Sequence, residues 1–130
     1  HLGQEDLDAL PGPALQALRA SGLRLGVSTH GYAEMLRADA VGPSYLALGA
    51  VFPTTLKRMA TAPQGVARLA AYARLMQASY PLVAIGGIAL EQFGPVRATG
   101  VGSIAVVRAL VAAPDPEAAA AQVLRAMASA

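Results

Sequence analysis

The sequence has no cysteine, which removes disulfide frameworks, thiolate metal sites and cysteine nucleophiles together and is compatible with a cytoplasmic location. Aromatic residues supply only 5% of the chain and charged residues 14%. Lys and Arg are scattered, and no basic run interleaves with aromatics, so the formal charge of +2 leaves no nucleic-acid footprint. The uncharged stretch that raises a membrane question covers residues 40–56, and Gly42, Pro43, Gly49 and Pro53 interrupt it, unlike a spanning helix. Nucleic acid and membrane are therefore both set aside as partners.

What remains is aliphatic. Hydrophobic residues make up 55% of the 130, with Ala, Val and Leu dominant, as expected for parallel strands buried on both faces under closely packed Ala-rich helices. Short apolar runs alternate with helical patterns. Leu2-Gly3 reads as the tail of a strand. A helix opened by Pro11-Gly12-Pro13 and closed by Gly22 is expected within residues 7–23. Strands follow at residues 24–28, 45–49, 82–85 and 103–107, and helices at 32–40, 66–78 and 90–98, the last disturbed by Gly94-Pro95. Pro114-Asp115-Pro116 caps a final helix from Glu117 to about Met127. Residues 50–65, with Pro53 and Pro63, form a loop long enough to be a binding element. The alternation calls for an α/β fold with a parallel sheet, and periodicity leaves a (β/α)8 barrel and an open flavodoxin-like sheet both open.

Chemistry is expected where strands end. Pro81-Leu82-Val83-Ala84-Ile85 delivers the backbone to Gly86-Gly87, where side chains are absent and amide N–H groups can face an anion. About twenty residues on, Ser103-Ile104-Ala105-Val106-Val107 ends at Arg108. Two such strand ends side by side fit the phosphate site that follows strands seven and eight of a (β/α)8 barrel. Ser28, Thr29 and His30 lie just past another strand end, where they either position a substrate or cap the next helix. No G-x-S-x-G elbow is present, which argues against a serine hydrolase. Gln4-Glu5-Asp6 offers carboxylates on a loop: Asp6 either holds magnesium, which needs only one or two protein carboxylates, or caps a helix. Thr54, Thr55 and Lys57 place two hydroxyls and an ammonium on the long loop, suited to phosphate oxygens. Arg108 binds phosphate through its guanidinium or lies on a helix surface beside amides that do so.

Taken together, the segments His1-Leu2-Gly3-Gln4-Glu5-Asp6, Gly26-Val27-Ser28-Thr29-His30, Gly49-Ala50-Val51-Phe52-Pro53-Thr54, Ile85-Gly86-Gly87-Ile88 and Ala105-Val106-Val107 resemble, in order and spacing, the thiamine phosphate synthases. The resemblance spans essentially the whole chain and implies a (β/α)8 TIM barrel. A full barrel needs roughly 200 residues, and the chain opens on His1 in mid-pattern. The expectation is therefore one partial-barrel domain over residues 1–130, from the end of strand 4 through helix 8.

The activity implied is a transferase joining hydroxymethylpyrimidine diphosphate to thiazole phosphate, giving thiamine monophosphate and diphosphate. Carried over by position, Asp6 resembles a Mg2+ ligand, Ser28 a contact to the pyrimidine substrate and departing diphosphate, and Lys57 the diphosphate-binding lysine. Thr54, Thr55, the Leu56 backbone, Gly87, Val107 and Arg108 match the thiazole phosphate segment. Leu56 stands where the family usually has a hydroxyl, and Arg108 where many members have serine. Because the family's earlier segments supply further diphosphate ligands, the chain alone is expected to have little or no activity. A thiazole tautomerase and a non-catalytic phosphate-ligand module are the rival readings. The tautomerase type uses histidine where this chain has Ala50. A homo-oligomer is compatible with the resemblance.

Overall fold

The computed structural model describes residues 1–129. Four parallel strands, β1 (Gly26–Thr29), β2 (Tyr45–Leu48), β3 (Leu82–Ile85) and β4 (Ser103–Ala105), form one sheet in chain order β1-β2-β3-β4. Nowhere does that order reverse, as an open doubly wound sheet would require. Ahead of β1, Leu2 pairs in parallel with Val27: its N–H donates to the Gly26 carbonyl at 2.9 Å and its carbonyl accepts from Ser28 N–H at 3.0 Å. The expected strand tail is thus in place.

Helices fill the connections: α1 (Gln4–Ala9), α2 (Gly12–Ala20), α3 (Tyr32–Val41), α4 (Gly65–Met76), α5 (Phe93–Arg97), α6 (Arg108–Val111) and α7 (Pro116–Ala128). A 3-10 turn at Leu90–Gln92 leads into α5. Residues at alternate strand positions, Val27, Leu46, Leu48, Leu82 and Ala84, share one cluster with Met35, Leu69, Tyr72, Met76, Phe93 and Val96 from the helices. That cluster is the core, and period-two alternation leaves Gly26, Ser28, Tyr45, Ala47, Val83 and Ile85 on the other face.

Three local expectations are corrected. The segment Gln4-Glu5-Asp6 is helix α1, because the Asp6 carboxylate accepts the Gly3 N–H at 2.9 Å and starts a turn there. The single helix expected over residues 7–23 is therefore two, with Pro11 as the N-cap of α2. The strand expected at 103–107 stops at Ala105, and a short helix begins at Arg108. Elsewhere the outcome follows the pattern: β3 is Leu82–Ile85, and Asp115 caps α7 by accepting the Ala118 N–H at 3.0 Å.

Candidate functional site

The ends of β1, β2 and β3 open on the same side, because all the strands run parallel. From β2 the chain enters the long loop, whose first residues stay pinned to β3: Val51 N–H donates to the Ile85 carbonyl and Phe52 N–H to the Gly86 carbonyl, both at 3.0 Å. Gly86 and Gly87 make this approach possible. Both have positive φ, 94° and 67°, and a Cβ on Gly87 would stand 2.3 Å from the Pro53 carbonyl oxygen. The space a side chain would take is thus filled by the loop. What Gly87 can present to a ligand is its N–H: among the described residues the backbone N–H groups of Gly87, Ile88, Val107 and Arg108 have no hydrogen-bond acceptor.

Those groups border a cavity of about 240 Å³ lined by Thr54, Leu56, Gly86, Gly87, Val107 and Arg108 among others. The Arg108 guanidinium crosses to the loop and donates to Thr55 Oγ1 at 2.9 Å, and the Leu56 N–H donates to Thr54 Oγ1 at 3.3 Å. A larger cavity, of about 680 Å³, lies against β1 and α1 and is lined by Asp6, Ser28, His30, Glu34, Lys57 and Arg58 among others. Thr54, Leu56, Ile85 and Gly86 line both cavities. The structure therefore brings Asp6, Ser28 and Lys57 to one space and Gly87, Val107 and Arg108 to the adjoining one. Thr55 lines neither, its hydroxyl being turned to Arg108.

Around the larger cavity the polar groups are held from behind. Gln4 Nε2 donates to the Ser28 carbonyl at 2.8 Å. Neither Ser28 nor Thr29 caps α3, contrary to the alternative the sequence left open: the N-cap is Gly31, and Thr29 is buried, donating its hydroxyl to the Ala47 carbonyl at 3.0 Å. Glu34 does that work instead. Its Oε2 accepts both the His30 N–H and His30 Nδ1, each at 2.8 Å, so Nδ1 carries a proton toward the carboxylate. Gln64 Nε2 donates to the His30 carbonyl at 2.9 Å, and the buried Tyr72 hydroxyl donates to Gln64 Oε1 at 3.0 Å. The β1 tip is thereby tied to the start of α4.

Asp6 spends one carboxylate oxygen on the Gly3 N–H and lines the cavity beside Glu5. Among the described residues no three His, Asp or Glu side chains gather as a metal cage. One carboxylate with an oxygen to spare still fits magnesium, which keeps several waters and takes phosphate oxygens as further ligands. Among the described residues Lys57 and Arg58 form no ion pair. His1 and Glu34 line the larger cavity and Gln64 braces it through the His30 carbonyl; sequence reasoning gave none of the three a role. Only His30, singled out beside Ser28, pointed toward Glu34, through i,i+4 spacing. No helix of the described residues is long and apolar enough to cross a membrane.

A family model described as thiamine monophosphate synthase matches residues 1–110. The chain is 53% identical over 125 residues to a thiamine-phosphate synthase of Pectobacterium atrosepticum, and 57% identical over 124 residues to one of Salmonella schwarzengrund. These alignments cover 96% and 95% of this chain and 57% of each relative. Among solved structures, thiamine phosphate pyrophosphorylase from Pyrococcus furiosus superposes with a TM-score of 0.78 at 30% identity, covering 97% of this chain and 57% of that one. A structure described as native KDPGal, 16% identical with a TM-score of 0.68 over 90% of this chain and 54% of its own, agrees in fold alone. The chain thus spans a little over half the length of the relatives it matches.

Proposed function

The chain belongs to the thiamine monophosphate synthase family, and from that premise we propose that its two adjoining cavities receive the two substrates of a transferase that makes thiamine monophosphate. The observation that carries this reading is that Thr54, Leu56, Ile85 and Gly86 line both cavities, so that ligands held in the two would be neighbours. Hydroxymethylpyrimidine diphosphate occupies the larger cavity and thiazole phosphate the smaller. In the same proposal the sheet is the C-terminal part of a (β/α)8 barrel, from the end of strand 4 through helix 8. A cytoplasmic location and self-association belong to the same proposal.

The roles follow from position. Lys57 supplies a compact ammonium to the diphosphate, and Ser28 a hydroxyl to the pyrimidine and the departing group. Asp6 would hold magnesium, which would supply positive charge to the diphosphate. As the diphosphate leaves, the pyrimidine methylene becomes cationic and the thiazole nitrogen captures it. Stabilisation of the separating charges is the protein's main task. On the other side the unpaired N–H groups of Gly87, Val107 and Arg108 cradle the thiazole phosphate, with Thr54 and the Leu56 backbone at its edge. Arg108 adds its guanidinium and keeps Thr55 and the loop in register.

Calorimetry tests the reading without requiring turnover, which we expect to be slight or absent for this chain alone. Thiazole phosphate and the pyrimidine diphosphate should each bind, the latter only with magnesium. Binding of just one ligand, independent of metal, would favour a non-catalytic phosphate-ligand module. Conversion of a thiazole isomer in the absence of pyrimidine would favour a tautomerase, although Ala50 offers only a methyl at the tip of β2.

A further inference from the structure

Three residues distant in sequence meet on the face of the sheet opposite the helices. Leu2 pairs with Val27 and Gly26 with Tyr45, so His1, Gly26 and Tyr45 stand in one row across three adjacent segments of the sheet. Gly26 has no side chain, and the Tyr45 ring lies over it: a Cβ there would stand 2.1 Å from Tyr45 Cζ and 2.4 Å from its hydroxyl oxygen. The ring therefore crosses β1 and reaches His1, with ring centroids 5.6 Å apart. His1 Nδ1 lies 2.9 Å from the Tyr45 hydroxyl, and Nε2 lies 2.8 Å from Ser28 Oγ. His1 and Ser28 both line the larger cavity.

We infer that His1 and Tyr45 are positioning residues that set the direction of the Ser28 hydroxyl proton, through an ordered chain from Tyr45 to His1 to Ser28 to an anionic ligand. A neutral imidazole has one donor and one acceptor nitrogen. If Nδ1 carried the proton, Nε2 would accept the Ser28 O–H, and Ser28 would have only lone pairs to offer the ligand. An anion needs the reverse. Tyr45 donates to Nδ1, which places the imidazole proton on Nε2. That proton goes to Ser28 Oγ, and the serine O–H is left to donate into the cavity. Each donor in such a chain polarises the next. The absence of a side chain at Gly26 is what allows the first member to reach the second. The inference rests on the proposed reading in one respect, that the ligand facing Ser28 is a diphosphate.

Two measurements on the 130-residue chain separate the inference from that reading. Long-range proton–nitrogen NMR of histidine-labelled protein reports which His1 nitrogen is protonated. The expected tautomer is Nε2–H, turning to a mixture in Tyr45→Phe, and a dominant Nδ1–H form in the unsubstituted protein would overturn the inference whatever binds. Calorimetry with inorganic pyrophosphate and magnesium then follows the ligand. Tyr45→Phe and His1→Ala should each weaken binding by about 2- to 10-fold, the worth of one lost hydrogen bond to an ordered donor. His1→Gln should restore it, because the amide has an oxygen for Tyr45 and an N–H for Ser28. His1→Gln as weak as His1→Ala would overturn the positioning role. No pyrophosphate binding by the unsubstituted chain would overturn the diphosphate reading, while the tautomer would still decide the relay.

Discussion

On the helix-covered face of the sheet Val27, Leu46 and Ala84 are fully buried, whereas on the opposite face Val83 and Ile85 are half-buried and Ser103 and Ala105 are exposed. The first face joins Met35, Leu69, Phe93 and Val96 in a continuous apolar cluster. The second carries Ser28, Tyr45 and the strand tips that border both cavities. Stability and chemistry are thus separated by the two-residue period of a strand: a shift of one residue in register would exchange them. The loop of residues 50–65 belongs with the second face. Up to Gln64 it holds no regular element, and its beginning is fixed by backbone bonds to Ile85 and Gly86.

The largest effect that tests this division is Phe93→Ala. Phe93 is 1% exposed, and its truncation should remove about 3–5 kcal/mol of stability in urea unfolding. Ile85→Ala, on the other face, should remove clearly less, and equal losses would abolish the distinction. Next is Lys57→Ala, introduced into a complete enzyme that contains this sequence. Turnover should fall by about 10- to 1,000-fold, as for loss of one stabiliser of leaving-group charge, with unfolding shifted by no more than about 0.5 kcal/mol. An unchanged rate would take Lys57 out of the site.

Gly87→Val sits where the two regions touch. A side chain there meets the Phe52 and Pro53 carbonyls at a positive φ, so the loop must move. A loss of about 1–3 kcal/mol is expected, together with weaker calorimetric binding of thiazole phosphate. Tight binding in a destabilised variant would show that the Gly87 N–H is not part of the cradle. The smallest effect is remote from both cavities. The Tyr80 hydroxyl donates to Asp39 Oδ1, and this bond, then desolvation, then the Asp39 charge raise the Tyr80 pKa above 10.0. Since the folded value is the higher one, the contribution is fully present below pH 10 and fades as pH climbs through the folded-state value. Tyr80→Phe should flatten that alkaline part of the stability profile and leave both ligand affinities alone.

Legibility in the sequence followed the strength of the local signal. β3 could be read to the residue because an apolar run closes abruptly on Gly86-Gly87, and α7 because Asp115 and Pro116 announce its first turn. Helices α1 and α6 span six and four residues, too short for a hydrophobic period to register. Asp6 illustrates the limit: as a carboxylate near a strand end it was visible, but its bond to Gly3 N–H, which makes a helix of the supposed loop, is a matter of three-dimensional closure. At Gly87 the sequence shows a residue without a side chain, and the structure adds what fills that space, the Phe52 and Pro53 carbonyls of the loop.

By itself the sequence determined the alternation of parallel strands and helices, the aliphatic core and the family, because these depend on patterns between near neighbours and on motifs kept in order. Tertiary structure alone decided that His1, Ser28 and Tyr45 touch, that Glu34 rather than a hydroxyl secures the β1 tip, and that two cavities share a wall. Such contacts depend on strand register across up to 44 residues of separation, and register is set by burial of a whole sheet face rather than by any residue that makes the contact.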